Sequence, residues 1–186
     1  MNIHIYSDAS FSKPNQLAVT GLLLFENDDS HIATKISQAI QTRIFKETNN
    51  IRAELRGVIF ALETSTNKLA QTDSDPNTEG RQINLYTDCQ TVIRLPDRRK
   101  KLEASHFMSN RTKKSLRNAD LYRQFFTIYD KATPNLFWVK GHTKKGSRDL
   151  IQKNFSRVDK VVRDTLRRHP HILGDGANPD RKSDSF

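Results

Sequence analysis

Cysteine is nearly absent from this chain of 186 residues; Cys89 is the only one. A lone cysteine excludes a disulfide framework and a cysteine zinc cluster. It makes the cytoplasm, or an equivalent reducing compartment, the expected location. Nowhere do about 18 apolar residues run together, so no segment is suited to spanning a membrane. The sequence opens directly on an alternating strand, without a charged-then-apolar leader. Acidic residues are also scarce beside basic ones, 21 against 31, which leaves a formal net charge of +10. That balance favours a polyanionic partner, nucleic acid first. A membrane surface fits less well, because neither end carries a strongly amphipathic basic helix.

What is present is enough for one core. Residues 2–7 alternate apolar and polar side chains and read as a strand. Residues 17–25 are a second, nearly all apolar strand, and 31–45 supply a third after the Asp28-Asp29 turn. Short links between them predict an antiparallel meander. Residues 51–68 form a helix whose stripe is Ile51, Leu55, Val58 and Leu62. A polar loop follows, then a strand over 82–87, which a right-handed crossover sets parallel to its partner. Residues 91–95 start a short helix expected to stop near Pro96. The 98–117 stretch is strongly basic, with one acid, Glu103. Helices are expected over 120–131 and 148–168, the latter with the stripe Ile151, Phe155, Val158, Val162 and Leu166. Between them, 136–139 is a fifth strand. Past His169 periodicity ends, and 169–186 is expected to be a disordered polar tail. The pattern predicts an α/β fold: a mixed five-stranded sheet, three antiparallel strands then two parallel, flanked by helices.

Two phrases repeat: Ile5-Tyr6-Ser7-Asp8 and Leu85-Tyr86-Thr87-Asp88. Each reads as a strand that stops on an aspartate. Side chains alternate faces along a strand, so each Asp shares a face with the Tyr two residues before it. Parallel and adjacent, the two strands would bring both carboxylates to the crevice where open α/β sheets bind ligands. Carboxylates that close repel unless a proton or cation lies between them, and a divalent cation suits the site. An Asp after a strand also serves as a turn residue or helix cap.

Glu54 is a third candidate, near a helix N-terminus, where the macrodipole also favours an acid. Small Ala53, Gly57 and Ala61 would let its helix approach the sheet closely. Asp159 is a fourth, at the edge of the last helix's buried face, where it pairs with Arg163 or binds a cation. His142, in a loop with Gly141 and Gly146, is placed to move protons near neutral pH. Trp138 is expected in the core.

The phrases Tyr6-Ser7-Asp8-Ala9-Ser10, Arg52-Ala53-Glu54-Leu55, Tyr86-Thr87-Asp88-Cys89-Gln90, Asn118-Ala119-Asp120-Leu121-Tyr122, Trp138-Val139-Lys140-Gly141-His142-Thr143 and Arg157-Val158-Asp159 resemble, in order, the signatures of type 1 ribonuclease H. The resemblance covers about residues 1–168. It implies the ribonuclease H-like fold and a metal-dependent endonuclease. Such an enzyme hydrolyses the RNA strand of RNA–DNA hybrids to 5′-phosphate and 3′-hydroxyl ends. Asp8, Glu54, Asp88 and Asp159 would hold two magnesium ions, with manganese a possible substitute. His142 would carry protons and aid product release. Thr48, Asn49, Asn50 and Gln90 would contact minor-groove edges, sugars or phosphate, since amides can read a 2′-hydroxyl. Arg98, Arg99, Lys100 and Lys101 resemble part of the family's basic protrusion, which grips the DNA strand. The implied partner is the hybrid itself, bound by a monomer with no obligate protein partner and no membrane.

The chain departs from the family pattern in three places. Ile51 is an extra residue between the Asn pair and Glu54. Phe155 stands where the family has Asn, with Asn154 one residue out of register. The loop between His142 and Asp159 is longer, with added Lys144, Lys145 and Arg148. Two alternative readings share the fold: a non-cleaving nucleic-acid-binding relative, and a DNA-directed nuclease.

Overall fold

The structure is a computed structural model that describes residues 2–26, 39–71, 82–141 and 145–169. Its sheet contains β1 (Asn2–Ser12), β2 (Leu17–Glu26), β3 (Gln41–Lys46), β4 (Gln82–Thr87) and β5 (Asn135–Trp138), in the order β3-β2-β1-β4-β5. The first three strands pair antiparallel, and β4 and β5 add in parallel. The helices are α1 (Asn50–Gln71), α2 (Gln90–Ile93), α3 (Leu95–Ala104), α4 (Ala119–Ala132) and α5 (Leu150–Arg168). This is the mixed, helix-flanked sheet that the sequence pattern predicts.

Alternation along the strands sorts the core into two layers. Ile3, Ile5, Leu22, Ile83 and Leu85 pack with Leu55, Val58 and Leu62 of α1 and with Leu121 and Phe125 of α4. Tyr6, Val19, Leu23 and Tyr86 face the other way, onto Phe155, Val158 and Val162 of α5. Each fully buried aliphatic or aromatic side chain of this kind contributes about 1.5–3 kcal/mol. Gly57 explains the tight seat of α1: a Cβ there would come within 3.2 Å of Ser7 Oγ and Thr20 Cγ2.

Five local expectations need correction. β1 does not stop at Asp8 but runs to Ser12. Its antiparallel ladder with β2 continues through Ser12↔Leu17, while the parallel ladder with β4 ends at Tyr6↔Tyr86. Ile51 is 43% exposed, because α1 starts a residue before it and its burial begins at Ala53. Ile151, in the first turn of α5, is likewise exposed. The short helix α2 does end at Ile93, but Pro96 then sits in the first turn of a further helix, α3, where its missing N–H goes unneeded. Trp138 is 48% exposed, since β5 is an edge strand. The first part of the expected third strand lies outside the described residues, as do the 72–81 loop and the tail beyond His169.

Candidate active site

Beyond the Tyr6↔Tyr86 pair, the β4 side of β1 carries no strand, and carboxylates converge on that opening. Asp8, Glu54 and Asp88 each bring an oxygen within 4.8 Å of the others. Asp8 projects from the α5 face of β1. Asp88 follows the last residue of β4, and Glu54 stands in the first turns of α1. The first two Asp positions follow from register. Tyr6 and Tyr86 are paired, and each aspartate lies two residues on.

The electrostatics are those of an acid cluster short of positive charge. Burial pushes the Asp8 carboxyl well above its ordinary range, and the charges of Asp88 and Asp159 push it further. Glu54 is raised well above its range for the same reasons: burial first, then Asp8 and Asp88. The Ala9 amide favours the charged form of both, and an amide nitrogen of Asn50 lies 3.5 Å from Glu54 Oε1. Oxygen donors this close and this poorly compensated fit a hard divalent cation. A magnesium site is consistent with that donor set, which contains no sulfur.

Asp159 is not within the 4.8 Å set. Arg163 donates to its Oδ2 at 2.7 Å, one helical turn on, so the ion pair considered from sequence is formed. Asp159 nevertheless lines, with Asp88, a cleft of about 290 Å³ whose other walls include Lys140, Gly141, Arg148, Gln152 and Ser156. Lys140, Arg148 and Arg163 thus share a cleft with two acids. The backbone of α5 is set there by a capping box: Asp149 Oδ1 accepts from the Gln152 amide at 2.7 Å. Gly141 presses on Asp88, since a Cβ there would lie 2.7 Å from its Oδ2. Trp138 donates its indole N–H to the Asp88 carbonyl at 3.1 Å. Burial pushes the adjacent Cys89 thiol up to about 11, which keeps it protonated and unreactive.

His142 lies outside the described residues. Of the residues expected to meet substrate, Thr48 is exposed just before α1, Asn50 is exposed as its first residue and Gln90 is exposed at the start of α2. Asn49 is half-buried and accepts from the Arg52 amide at 3.0 Å, so it caps α1. Ile51 is the second residue of α1. Arg98, Lys100 and Lys101 are exposed on α3. Arg99 is instead engaged, with Glu103 at 2.8 Å and with Asp130 of α4. Phe155 packs in the α5 layer of the core, and Asn154 is fully buried beside it.

Sequence reading missed Glu47, which is buried at the end of β3. No periodicity marks it, because the strand before it is largely exposed. It also did not single out Lys140, Gln152 and Ser156 as cleft walls. Only folding brings them to Asp88.

The RNase H family model matches residues 1–167. The chain belongs to the RNase H family. Solved structures with the same fold include the RNase H domain of PFV, at 14% identity and a TM-score of 0.63. That match covers 87% of this chain and 92% of that one. The N-terminal RNase H domain of rv2228c from Mycobacterium tuberculosis, solved as a maltose-binding-protein fusion, is 17% identical. Its TM-score is 0.57, over 88% of this chain and 98% of that one. The foamy viral protease-reverse transcriptase, solved in complex with dsDNA, is 15% identical. Its TM-score is 0.53, over 87% and 94% of the two chains. No curated protein sequence matches.

Proposed function

We propose that this chain is an endonuclease that hydrolyses the RNA strand of RNA–DNA hybrids, leaving 5′-phosphate and 3′-hydroxyl ends. The observation that carries the reading is the meeting of Asp8, Glu54 and Asp88 within 4.8 Å, in a family member of net charge +10. A protein that only bound nucleic acid would gain nothing from clustering acids where phosphates must approach.

Residues 1–168 form the catalytic unit in this reading. Asp8, Glu54 and Asp88, with Asp159 from α5, would hold two magnesium ions, and manganese would substitute. When bound, such a pair of ions activates water and stabilises a departing oxygen. The chain's own groups do the rest. Arg163 fixes the Asp159 carboxylate by its 2.7 Å bond. Lys140 and Arg148 supply positive charge on the cleft wall for the substrate phosphate. His142 carries protons and aids product release. Asn50 and Gln90 read 2′-hydroxyls from exposed positions, and Thr48 and Asn49 meet the backbone. Exposed Arg98, Lys100 and Lys101 grip the DNA strand, and Arg99 fixes their helix. The enzyme acts as a monomer in the cytoplasm, where a single unpaired cysteine is at home.

The solved dsDNA complex of the foamy viral relative favours one second reading, a nuclease directed at DNA duplexes. A panel of end-labelled hybrid, duplex DNA and duplex RNA decides between them. Hybrid-selective cutting of the RNA strand supports the proposal, and cutting of duplex DNA replaces it with the second reading.

A further inference from the structure

Glu47 is a buried carboxylate outside the acid cluster, and its side chain is 3% exposed. Four segments of the chain are tied through it. Its own amide donates to the Gln16 carbonyl at 2.9 Å, which anchors the β1–β2 turn. Its Oε2 accepts from the Thr48 amide at 2.9 Å and from Arg52 Nε at 2.7 Å. Its Oε1 accepts from Arg56 Nε at 2.5 Å. Arg52 then reaches across to the start of α4. It forks onto Asp120 at 2.7 and 2.8 Å and donates to the Arg117 carbonyl at 3.0 Å. Burial alone would raise the Glu47 carboxyl; the bonds from Arg52, Arg56 and the Thr48 amide outweigh it and hold it lowered.

This is more bonding than the helix start needs. Asn49 already caps α1 by accepting from the Arg52 amide. The network instead ties the backbone at Gln16 and at Arg117 to the start of α1. Gln16, Lys46, Thr48 and Arg117 line a cleft of about 490 Å³ whose remaining walls are Glu47, Arg52 and Arg56. Among the described residues neither Lys46 nor Arg117 forms an ion pair. A cleft whose walls are already tied together binds a polyanion without those walls first losing their freedom of placement.

We propose that Glu47 is a positioning residue for nucleic-acid binding: through Arg52 it locks the turn at 48–50 to the turn at 117–120. The sugar–phosphate backbone of a bound strand then meets one rigid cradle. The inference rests on the proposed hybrid nuclease, but its test does not need cleavage. Two variants that keep side-chain size serve, Glu47→Gln and Arg52→Lys, each assayed well below its own melting temperature. Hybrid dissociation constants are measured in EDTA, and kcat and KM in magnesium. Each variant is expected to weaken hybrid binding and raise KM roughly tenfold, equivalent to about 1.4 kcal/mol of lost backbone contact. Loss of binding alone should leave kcat within about twofold. The double variant should bind no more weakly than the worse single, because one unit is removed only once. Unchanged dissociation constants with a lowered melting temperature would overturn the proposal, and so would losses that add in the double variant. Should the wild-type chain cut nothing, the dissociation constants on its tightest-bound duplex decide alone. A tenfold loss there supports the cradle while the nuclease reading fails. An unchanged value overturns the cradle as well.

Discussion

Tyr6 and Tyr86 stack ring on ring, 4.7 Å between centroids and 14° from parallel, and they are register partners across the β1–β4 ladder. Phe137 extends the stack from the far side of Tyr86 at 5.1 Å, and His4 Nδ1 meets the Tyr86 hydroxyl at 3.1 Å. The stack fixes the register two residues before the aspartates that meet in the acid cluster. Tyr86→Phe should cost about 1 kcal/mol, the net worth of one hydrogen bond, and leave activity near wild type. Tyr86→Ala should cost about 3–5 kcal/mol and depress activity by loosening the Asp8–Asp88 spacing. Denaturant unfolding beside hybrid cleavage checks both, and equal activity in Tyr86→Ala would dissociate the stack from the site.

Charge repulsion in the acid cluster should show as lost stability when no cation is present. Asp8 and Glu54 have carboxyls raised well above their unfolded values. Each therefore destabilises the fold above its unfolded pKa, and the penalty disappears as pH falls below it. In EDTA at neutral pH, Asp8→Asn should melt higher than the wild type, with the gap closing toward about pH 4. Magnesium should raise the melting temperature of the wild type more than that of the variant. Calorimetry across pH checks this, and a variant that melts lower than wild type in EDTA would count against crowding of the acids.

Gly141 is expected to matter for chemistry rather than for folding. The nearest atoms that a methyl group there would meet all belong to the Asp88 side chain, so it is that carboxylate that must shift. Gly141→Ala should change stability by less than about 1 kcal/mol. Activity should fall by about 10²-fold, as displacement of a reacting group by an ångström does. A matched loss of stability and activity would instead mark the glycine as part of the frame.

The basic helix α3 ties down one of its cations and leaves the other three exposed. Arg99 is held by Glu103 and Asp130, whereas Arg98, Lys100 and Lys101 are exposed. Neutralising each exposed residue should flatten the dependence of log binding on log salt by roughly 0.7–0.9 for every phosphate that the variant no longer neutralises. Arg99→Ala should leave that slope alone and loosen α3 from α4. Titrations of labelled hybrid at several salt concentrations separate these outcomes, and equal slopes for all four variants would assign the helix to plain surface.

Much of this was legible before folding. The repeated Tyr-hydroxyl-Asp phrase announced a shared register, because strand alternation is strictly periodic. The small residues at 53, 57 and 61 announced a close helix, and Ala53 and Ala61 are fully buried. What escaped depended on where elements end or on contacts between distant segments. Pro96 breaks most helices, but it opens α3 because it falls in the first turn. Trp138 reads as core by composition, yet an edge strand left it half exposed at the Asp88 carbonyl. Glu47 looks like any strand-end acid until α1 brings two arginines to it. His142 lies outside the described residues, so its part in the chemistry rests on the sequence.

The central claim, that the clustered carboxylates are the catalytic metal site, is tested most directly by titrating magnesium into hybrid cleavage reactions of wild type and Asp8→Asn. Cutting of the RNA strand should rise with magnesium and vanish in EDTA. The variant should fall by at least roughly 10²–10³-fold while still binding the hybrid. Cutting that persists in EDTA, or a variant as active as the wild type, would contradict the claim.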